Sequence, residues 1–343
     1  MIAYITRRLL LLPIVIFGLI LMVFGMFSLL DPYQKAAVFV SDVTQLKNRS
    51  MDDLVKQFGL NDPPWVQFGR WFNNVIHGDL GWSETAKRPV AEAFKRFMPQ
   101  SAELAIWAAL PIILGGIWLG VLSAVKQNRP IDHATRVFAV VGWSLPTFVA
   151  GLLALFLLYG VFNWFPPGRL GLEASRIVYS SDFRMYTGII TLDALLNGNL
   201  FVFADALRHL VLPVIVLAYV SWALILRVTR SSMLETLRQE YVMTARSKGL
   251  AEKVVINKHA RRNALIPVAT IAGLTVALLF HGLVITEYIF DLHGLGRWAA
   301  MAAQQFDLPA ILGYLLFNGF LIVLANLVVD IMYAFIDPRV RLG

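Results

Sequence analysis

Six apolar stretches, roughly 9–30, 102–125, 137–161, 209–229, 264–287 and 309–336, constrain this chain more than any other feature. Each is long enough, as a helix rising about 1.5 Å per residue, to cross about 30 Å of hydrocarbon. Inside a bilayer the backbone must satisfy its own polar groups, which a helix does within one segment. The expectation is an all-α integral membrane protein with six transmembrane helices. Hydrophobic residues make up 58% of the chain and charged ones only 15%, outside the usual range of soluble domains. The first stretch follows Arg7 and Arg8 as a signal peptide would, but it is too long and lacks a small-residue cleavage site, so it reads as a retained helix. Pro213 lies near the expected start of the fourth span, where a first-turn proline is tolerated.

Basic residues in the short connections orient the spans. With the N-terminus inside, the inner side receives Arg7 and Arg8, three basic residues in 126–136, nine from Arg227 to Arg262, and Arg339 with Arg341. The outer segments are close to charge balance. Both termini are expected in the cytoplasm.

Three outer segments interrupt the spans. Residues 31–101 read as two or three short amphipathic helices punctuated by glycine and Pro63-Pro64, with Trp65, Trp71 and Trp82 suited to a membrane–water interface. Residues 162–208 carry "FPPGRLG" and "TGIITLDALLNGN", a segment suited to dip into or cap a cavity. In 288–308, "DLHGLGRWAAMAAQQFD" bends at its glycines before a short helix. The organisation expected is 1–30 as tip and first helix, 31–101 as a helical extracytoplasmic segment, and 102–343 as a five-helix core containing a cytoplasmic loop at 230–263.

Enzymatic classes fail on inventory. The chain has no cysteine, which closes thiol and thiolate chemistry, and it lacks His-Glu-x-x-His, Gly-x-Ser-x-Gly and an acidic cluster for a metal. Nor is there a Gly-x4-Gly-Lys-Ser/Thr phosphate loop. An ATP-independent secondary transporter or channel stands as the rival class. Six spans and a membrane histidine and glutamate suit it, but neither an internal repeat nor clear midplane coupling charges are present.

The most unusual segment is "QEYVMTARSKGLAEKVVINKHARRNALIP", residues 239–267, with seven basic residues (counting His259) against two acidic ones. Helical spacing allows Tyr241, Ala245, Leu250, Val254 and Val255 to share an apolar stripe while the basic residues splay outward. Gly249 favours two short helices joined by a tight turn. A basic amphipathic loop lying on anionic lipid is one reading, at about 1 kcal/mol per Lys or Arg near the surface.

Word order supplies another. "EYVMTARSKGL" followed by "HARRNALIP" resembles the cytoplasmic coupling loop of permease subunits in binding-protein-dependent ABC importers. That family's broad pattern is EAA, three residues and Gly, with a proline near the next span. Met243-Thr244-Ala245 aligns with the triplet, Gly249 with the glycine and Pro267 with the proline, and Met243 replaces the glutamate. The oligopeptide/dipeptide branch reads Y-V-x-T-A-R-x-K-G, matched by Tyr241, Val242, Thr244, Ala245, Arg246, Lys248 and Gly249. "YITRRLLLLP" (Tyr4 to Pro13), "GDLGWS" (Gly78 to Ser83), "RPV" (Arg88 to Val90), "SLPTF" (Ser144 to Phe148), "DALRHLVLP" (Asp205 to Pro213), "EYIFDLHGLGR" (Glu287 to Arg297) and "NLVVDIMYAFIDPRVR" (Asn326 to Arg341) are similar to the B-type permease of that branch.

The resemblance implies a type I ABC importer permease in a bacterial or archaeal cell membrane, forming half of a translocation path for peptides or similar solutes. It implies a homologous second permease, two cytoplasmic ATPases, an extracytoplasmic binding protein docking on 31–101, and surrounding lipid, with no nucleic acid. ATP and Mg would sit on the ATPases and no cofactor on this chain. The coupling loop residues it marks are Tyr241, Val242, Thr244, Ala245, Arg246, Lys248, Gly249, Leu250, His259, Asn263 and Pro267.

Other residues carry two readings each. Ionisable groups in spans default to function. His281 either lines the path or bonds a neighbouring helix, and Glu287 near the outer end is either a gate or an interfacial group. Asp330, with Asn326 a turn earlier, suits an ion pair or helix packing, and Asp337-Pro338-Arg339 suits a helix stop. Pro111, Pro146, Pro267 and Pro309 are tolerated kinks on the simpler reading. Gly116 and Gly120 have the spacing for close helix packing.

Overall fold

The structure is a computed structural model and describes residues 2–38, 51–279 and 283–336. It is mostly helical. His281, Asp337, Pro338, Arg339 and Arg341 fall outside the described residues, as do the side chains of Arg7, Arg8 and Asp330. The chain divides into two units, one of residues 1–101, 281–287 and 293–327 and one of 102–280, 288–292 and 328–343.

The first unit opens with α1 (Ile2–Ser28), an apolar helix with Pro13 inside. Three short helices follow, as the punctuation of 31–101 predicts: α2 (Pro32–Val38), α3 (Met51–Gln57) and α4 (Pro64–Ile76). Pro64 starts α4 because its fixed φ suits a first turn and its missing N–H loses no bond there. Val23, Phe24 and Phe27 of α1 pack on Trp71 of α4 and on Leu312. A short two-stranded antiparallel hairpin, β1 (Trp82–Ser83) with β2 (Arg88–Pro89), is added to the otherwise helical elements. Lys87 at φ +53° makes the turn between the strands. α5 (Val90–Val125) begins at Val90 and not at 102. Its first turns pack Val90, Ala93 and Phe94 against α15 (Leu295–Gln304) and Ala310 of α16 (Leu308–Ile336).

The second unit contains the rest of α5, then α6 (Pro130–Ser144) and α7 (Thr147–Ala154), which runs on as a π-type stretch, Leu155–Val161. The expected single span 137–161 is corrected here: its two halves meet at 103°. A residue before proline is pushed out of the helical region, and Leu145, before Pro146, is extended at φ −80°, ψ 122°. Pro146 thus breaks the span where tolerance was expected. The segment 162–199 folds into α8 (Leu172–Val178) and α9 (Ile190–Leu196), whose Ala174, Val178, Ile190 and Ala194 pack on Val202 and Ala206.

α10 (Leu200–Leu237) is longer at both ends than expected. Its start is fixed by Asn199, whose side chain accepts from the Val202 N–H. Pro213 is therefore interior to the helix and not in its first turn. α11 (Glu240–Ser247), α12 (Glu252–Val254), a π-type stretch Val255–Ala260 and α13 (Arg261–Leu279) follow, then α14 (Val284–Ile289), which the first unit shares. Among the described residues, four helices are long and apolar enough to cross a membrane, or five if the α6–α7 pair counts as one span.

Along α5 and α10 the glycine expectation is realised. A Cβ at Gly116 would meet Ile225 at 2.7 Å, and one at Gly120 would meet Thr229 Cβ at 2.5 Å. Trp222 occupies the space beside Gly115 and donates its Nε1–H to the Pro111 carbonyl at 2.8 Å.

Candidate functional site

The motif of residues 239–267 folds as two helices around a tight turn. α11 ends at Ser247, and Gly249 takes φ +75°, a conformation that side-chain-bearing residues rarely adopt. A Cβ there would meet nothing within 4 Å, so the backbone angle alone demands glycine. Beyond the turn the chain runs from α12 through the π-type stretch into α13 without interruption, so the second helix is long.

Burial corrects the expected stripe. Val242 and Ala245, one turn apart on α11, are buried with Val255, Ala260, Ala264, Met233 and Ala124 in a cluster of the protein's own. Tyr241, Leu250 and Val254 are exposed, as is Met243. The five expected partners split because α11 must bury two small residues to be held, and Gly249 turns the following residues away. At roughly 25 cal/mol per Å² of apolar surface, covering a valine and an alanine contributes a few kcal/mol at most.

Polar contacts fix the loop further. Arg246 donates from Nε and Nη2 to the two carboxylate oxygens of Glu252, at 3.1 and 2.7 Å, closing the turn around Gly249. The pairing holds the Glu252 carboxyl below its ordinary value of 4.5 and raises Arg246. Asn263 Nδ2 donates to the Tyr241 hydroxyl at 2.8 Å and to the His259 carbonyl at 3.3 Å. Thr244 Oγ1 donates to the Glu240 carbonyl within its own helix. Lys248, an exposed residue, directly follows α11 as its C-cap, and Pro267 is exposed within α13. All eleven motif residues therefore lie on one loop and the helix start behind it.

At its base, sequence reasoning missed a buried charge. Asp132, fully buried, accepts from Ser123 Oγ, from the Asn128 N–H and from Arg230 Nε and Nη2, the last three at 2.9–3.0 Å. This joins α5, the turn after it, α6 and α10. Arg230 precedes Met233 of the buried cluster by one turn, so the ion pair and the floor under α11 share one stretch of α10. Nothing in the spacing of residues 123, 132 and 230 announces it.

In the first unit, Glu287 is buried. Its Oε1 accepts from Ser101 Oγ at 2.5 Å and its Oε2 from the Arg297 N–H at 2.9 Å, while Ser101 Oγ accepts the Leu295 N–H. Glu287 and Ser101 thus occupy two of the free N–H groups at the start of α15. Gly294 permits this, since a Cβ there would meet the Glu287 carboxyl and Ser101 Oγ, each at 2.5 Å.

Comparison with known proteins gives the family. Residues 116–342 match the family described as binding-protein-dependent transport system inner membrane component. The chain is 40% identical over 335 residues, covering 95% of it and 96% of the relative, to the probable D,D-dipeptide transport system permease protein DdpB of Escherichia coli. It is 36% identical over 341 residues, 99% of it and 100% of the relative, to the dipeptide transport system permease protein DppB of Alkalihalophilus pseudofirmus. Against the oligopeptide transport system permease protein AppB of Bacillus subtilis the identity is 33% over 342 residues, 99% and 100% of the two chains.

Proposed function

The chain belongs to the binding-protein-dependent transport system inner membrane component family, and from that premise we propose that it is the permease of an ATP-driven importer, forming half of a path for peptides or similar solutes. The observation that carries the mechanism is the loop: a short helix anchored by Val242 and Ala245 with Tyr241, Met243, Leu250 and Val254 left exposed among basic residues. An exposed apolar set rimmed by fixed charges suits insertion into a protein groove, with the charges setting register.

On this reading the chain spans the membrane six times, with α13 and α14 completing the fifth span and α6–α7 forming a broken third. Both termini and the loop face the cytoplasm, and 31–101 lies outside, where a binding protein docks. A second permease completes the path and two ATPases supply ATP and Mg, none of it held by this chain. Closure of the ATPases pushes α11, and the buried cluster with the Asp132–Arg230 pair carries that push into α5, α6 and α10. His281 is a path-lining candidate on the fifth span.

Co-expression with the neighbouring permease and ATPases, purification through a tag on this chain, and ATPase assay test this. Leu250→Glu and Gly249→Pro should lose the ATPases or their stimulation. A folded chain that copurifies with no ATPase, or loop variants that behave as wild type, would sink the reading in favour of ATP-independent transport.

A further inference from the structure

One concave feature of the first unit plays no part in the loop mechanism. A cleft of about 270 Å³ lies between the β1–β2 hairpin, the first turns of α5 and the start of α15. Arg88, Arg96, His293 and Arg297 line it, with Phe97 and Trp298 stacked 5.7 Å apart, and no carboxylate belongs to its lining. Arg96 and His293 make no hydrogen bond or ion pair among the described residues. Arg88 donates its Nε–H to the Ala86 carbonyl.

Two buried networks hold the walls still. On the hairpin side, Ser83 Oγ donates to Asp307 Oδ2 at 2.6 Å, the Thr85 N–H donates to the same oxygen, and Trp298 Nε1 donates to Ser83 Oγ. On the other side, Glu287 and Ser101 cap α15 behind Gly294. Three acids of this unit are committed elsewhere: Glu287 to the helix start, Asp307 to the hairpin and Glu84 to Lys87 at 2.6 Å. Arg96 and His293 thus bring positive charge to a concavity with no carboxylate in its lining, and guanidinium geometry matches a planar oxyanion two-point contact. The aromatic floor gives an organic ligand an apolar surface to rest on.

We propose that this cleft is an oxyanion subsite that takes the carboxylate of a small organic solute on its way into the translocation path. The inference rests on the importer reading above, under which the cleft faces outside. The same chemistry is offered by a phospholipid phosphate, and the experiment separates the two.

The assembled transporter, without its binding protein, is placed in phosphatidylcholine nanodiscs and titrated with alanyl-alanine and its C-terminal amide under saturation-transfer NMR. The acid should give a saturable signal and the amide none. Arg96→Gln, an exposed position that folding does not depend on, should weaken binding about tenfold, the loss of one charged hydrogen-bond contact, and Arg96→Lys should restore most of it. Equal signals for acid and amide, or an Arg96→Gln variant that binds like wild type, would overturn the inference. So would a signal that vanishes when phosphatidylglycerol replaces part of the lipid, which assigns the cleft to a headgroup. Peptide uptake by wild type with its binding protein is measured alongside. Uptake without Arg96-dependent binding removes the cleft and leaves the importer reading intact; Arg96-dependent binding without uptake does the reverse.

Discussion

Arg230 reaches the buried carboxylate of Asp132 with two hydrogen bonds of 2.9 Å, tying α10 to the start of α6. Ser123 and the Asn128 N–H take up the remaining lone pairs. Removing one partner of such a pair leaves the other charge buried and costs about 3–5 kcal/mol, whereas replacing both with apolar groups is often near neutral. Asp132→Asn should therefore lower the thermal unfolding midpoint in detergent, followed by tryptophan fluorescence. Asp132→Asn with Arg230→Met should recover part of the loss. Equal midpoints for wild type and Asp132→Asn would show that the pair contributes nothing.

The approach of α5 to α10 makes a second prediction. At Gly120 a methyl group would stand 2.5 Å from Thr229 Cβ and 2.9 Å from the Leu226 carbonyl oxygen, and that backbone cannot rotate away. Overpacking of this kind costs about 1–3 kcal/mol. Gly120→Ala should destabilise the protein by that order, and the pair Gly120→Ala with Thr229→Gly should be milder than the single change. A Gly120→Ala protein as stable as wild type would mean the helices separate freely.

These two sites show where the sequence speaks and where it is silent. The α5 glycines were legible because small residues at helical spacing report a close approach whatever the partner. The turn at Gly249 was legible for a related reason: only a backbone demand explains a lone glycine between two helical patterns. The bend at Pro146 was underread, since proline inside an apolar run is compatible with either a mild kink or a break, and the packing decides. Asp132–Arg230 was invisible because residues 132 and 230 are brought together only by the fold. The division of the loop's apolar residues was invisible for the same reason, as periodicity names a stripe but not whether its neighbour is the chain itself.

The Arg246–Glu252 pair gives the loop a pH dependence with a defined sign. Glu252 titrates below its ordinary 4.5 in the folded loop because Arg246 favours its charged form. Its contribution is complete above the unfolded value and is lost as pH falls through the lowered folded one. Both side chains are about half exposed, which limits the pair to about 1 kcal/mol or less and makes it sensitive to salt. Protection factors of amides 246–252, which are exchange rates corrected for the intrinsic pH dependence, should be unchanged from neutrality down to about pH 5 and fall on further acidification. Glu252→Gln should show the lower protection throughout, and an identical acid profile in that variant would remove Glu252 as the cause.

Glu287 separates two roles that its position alone does not. As a gate its charge would matter, so Glu287→Gln would abolish transport while leaving stability untouched. As the cap of α15 its oxygen would matter, because it accepts the Arg297 N–H in a site closed off by Gly294. The geometry favours the cap. Glutamine keeps an acceptor of the same length and removes the cost of a buried charge, so Glu287→Gln should retain transport within a fewfold and unfold no earlier than wild type. Glu287→Ala deletes the acceptor and should cost about 0.5–2 kcal/mol, as loss of a helix cap does. Uptake assays in proteoliposomes and unfolding midpoints on the same preparations decide between them. A stable Glu287→Gln protein with no transport would return Glu287 to the gate.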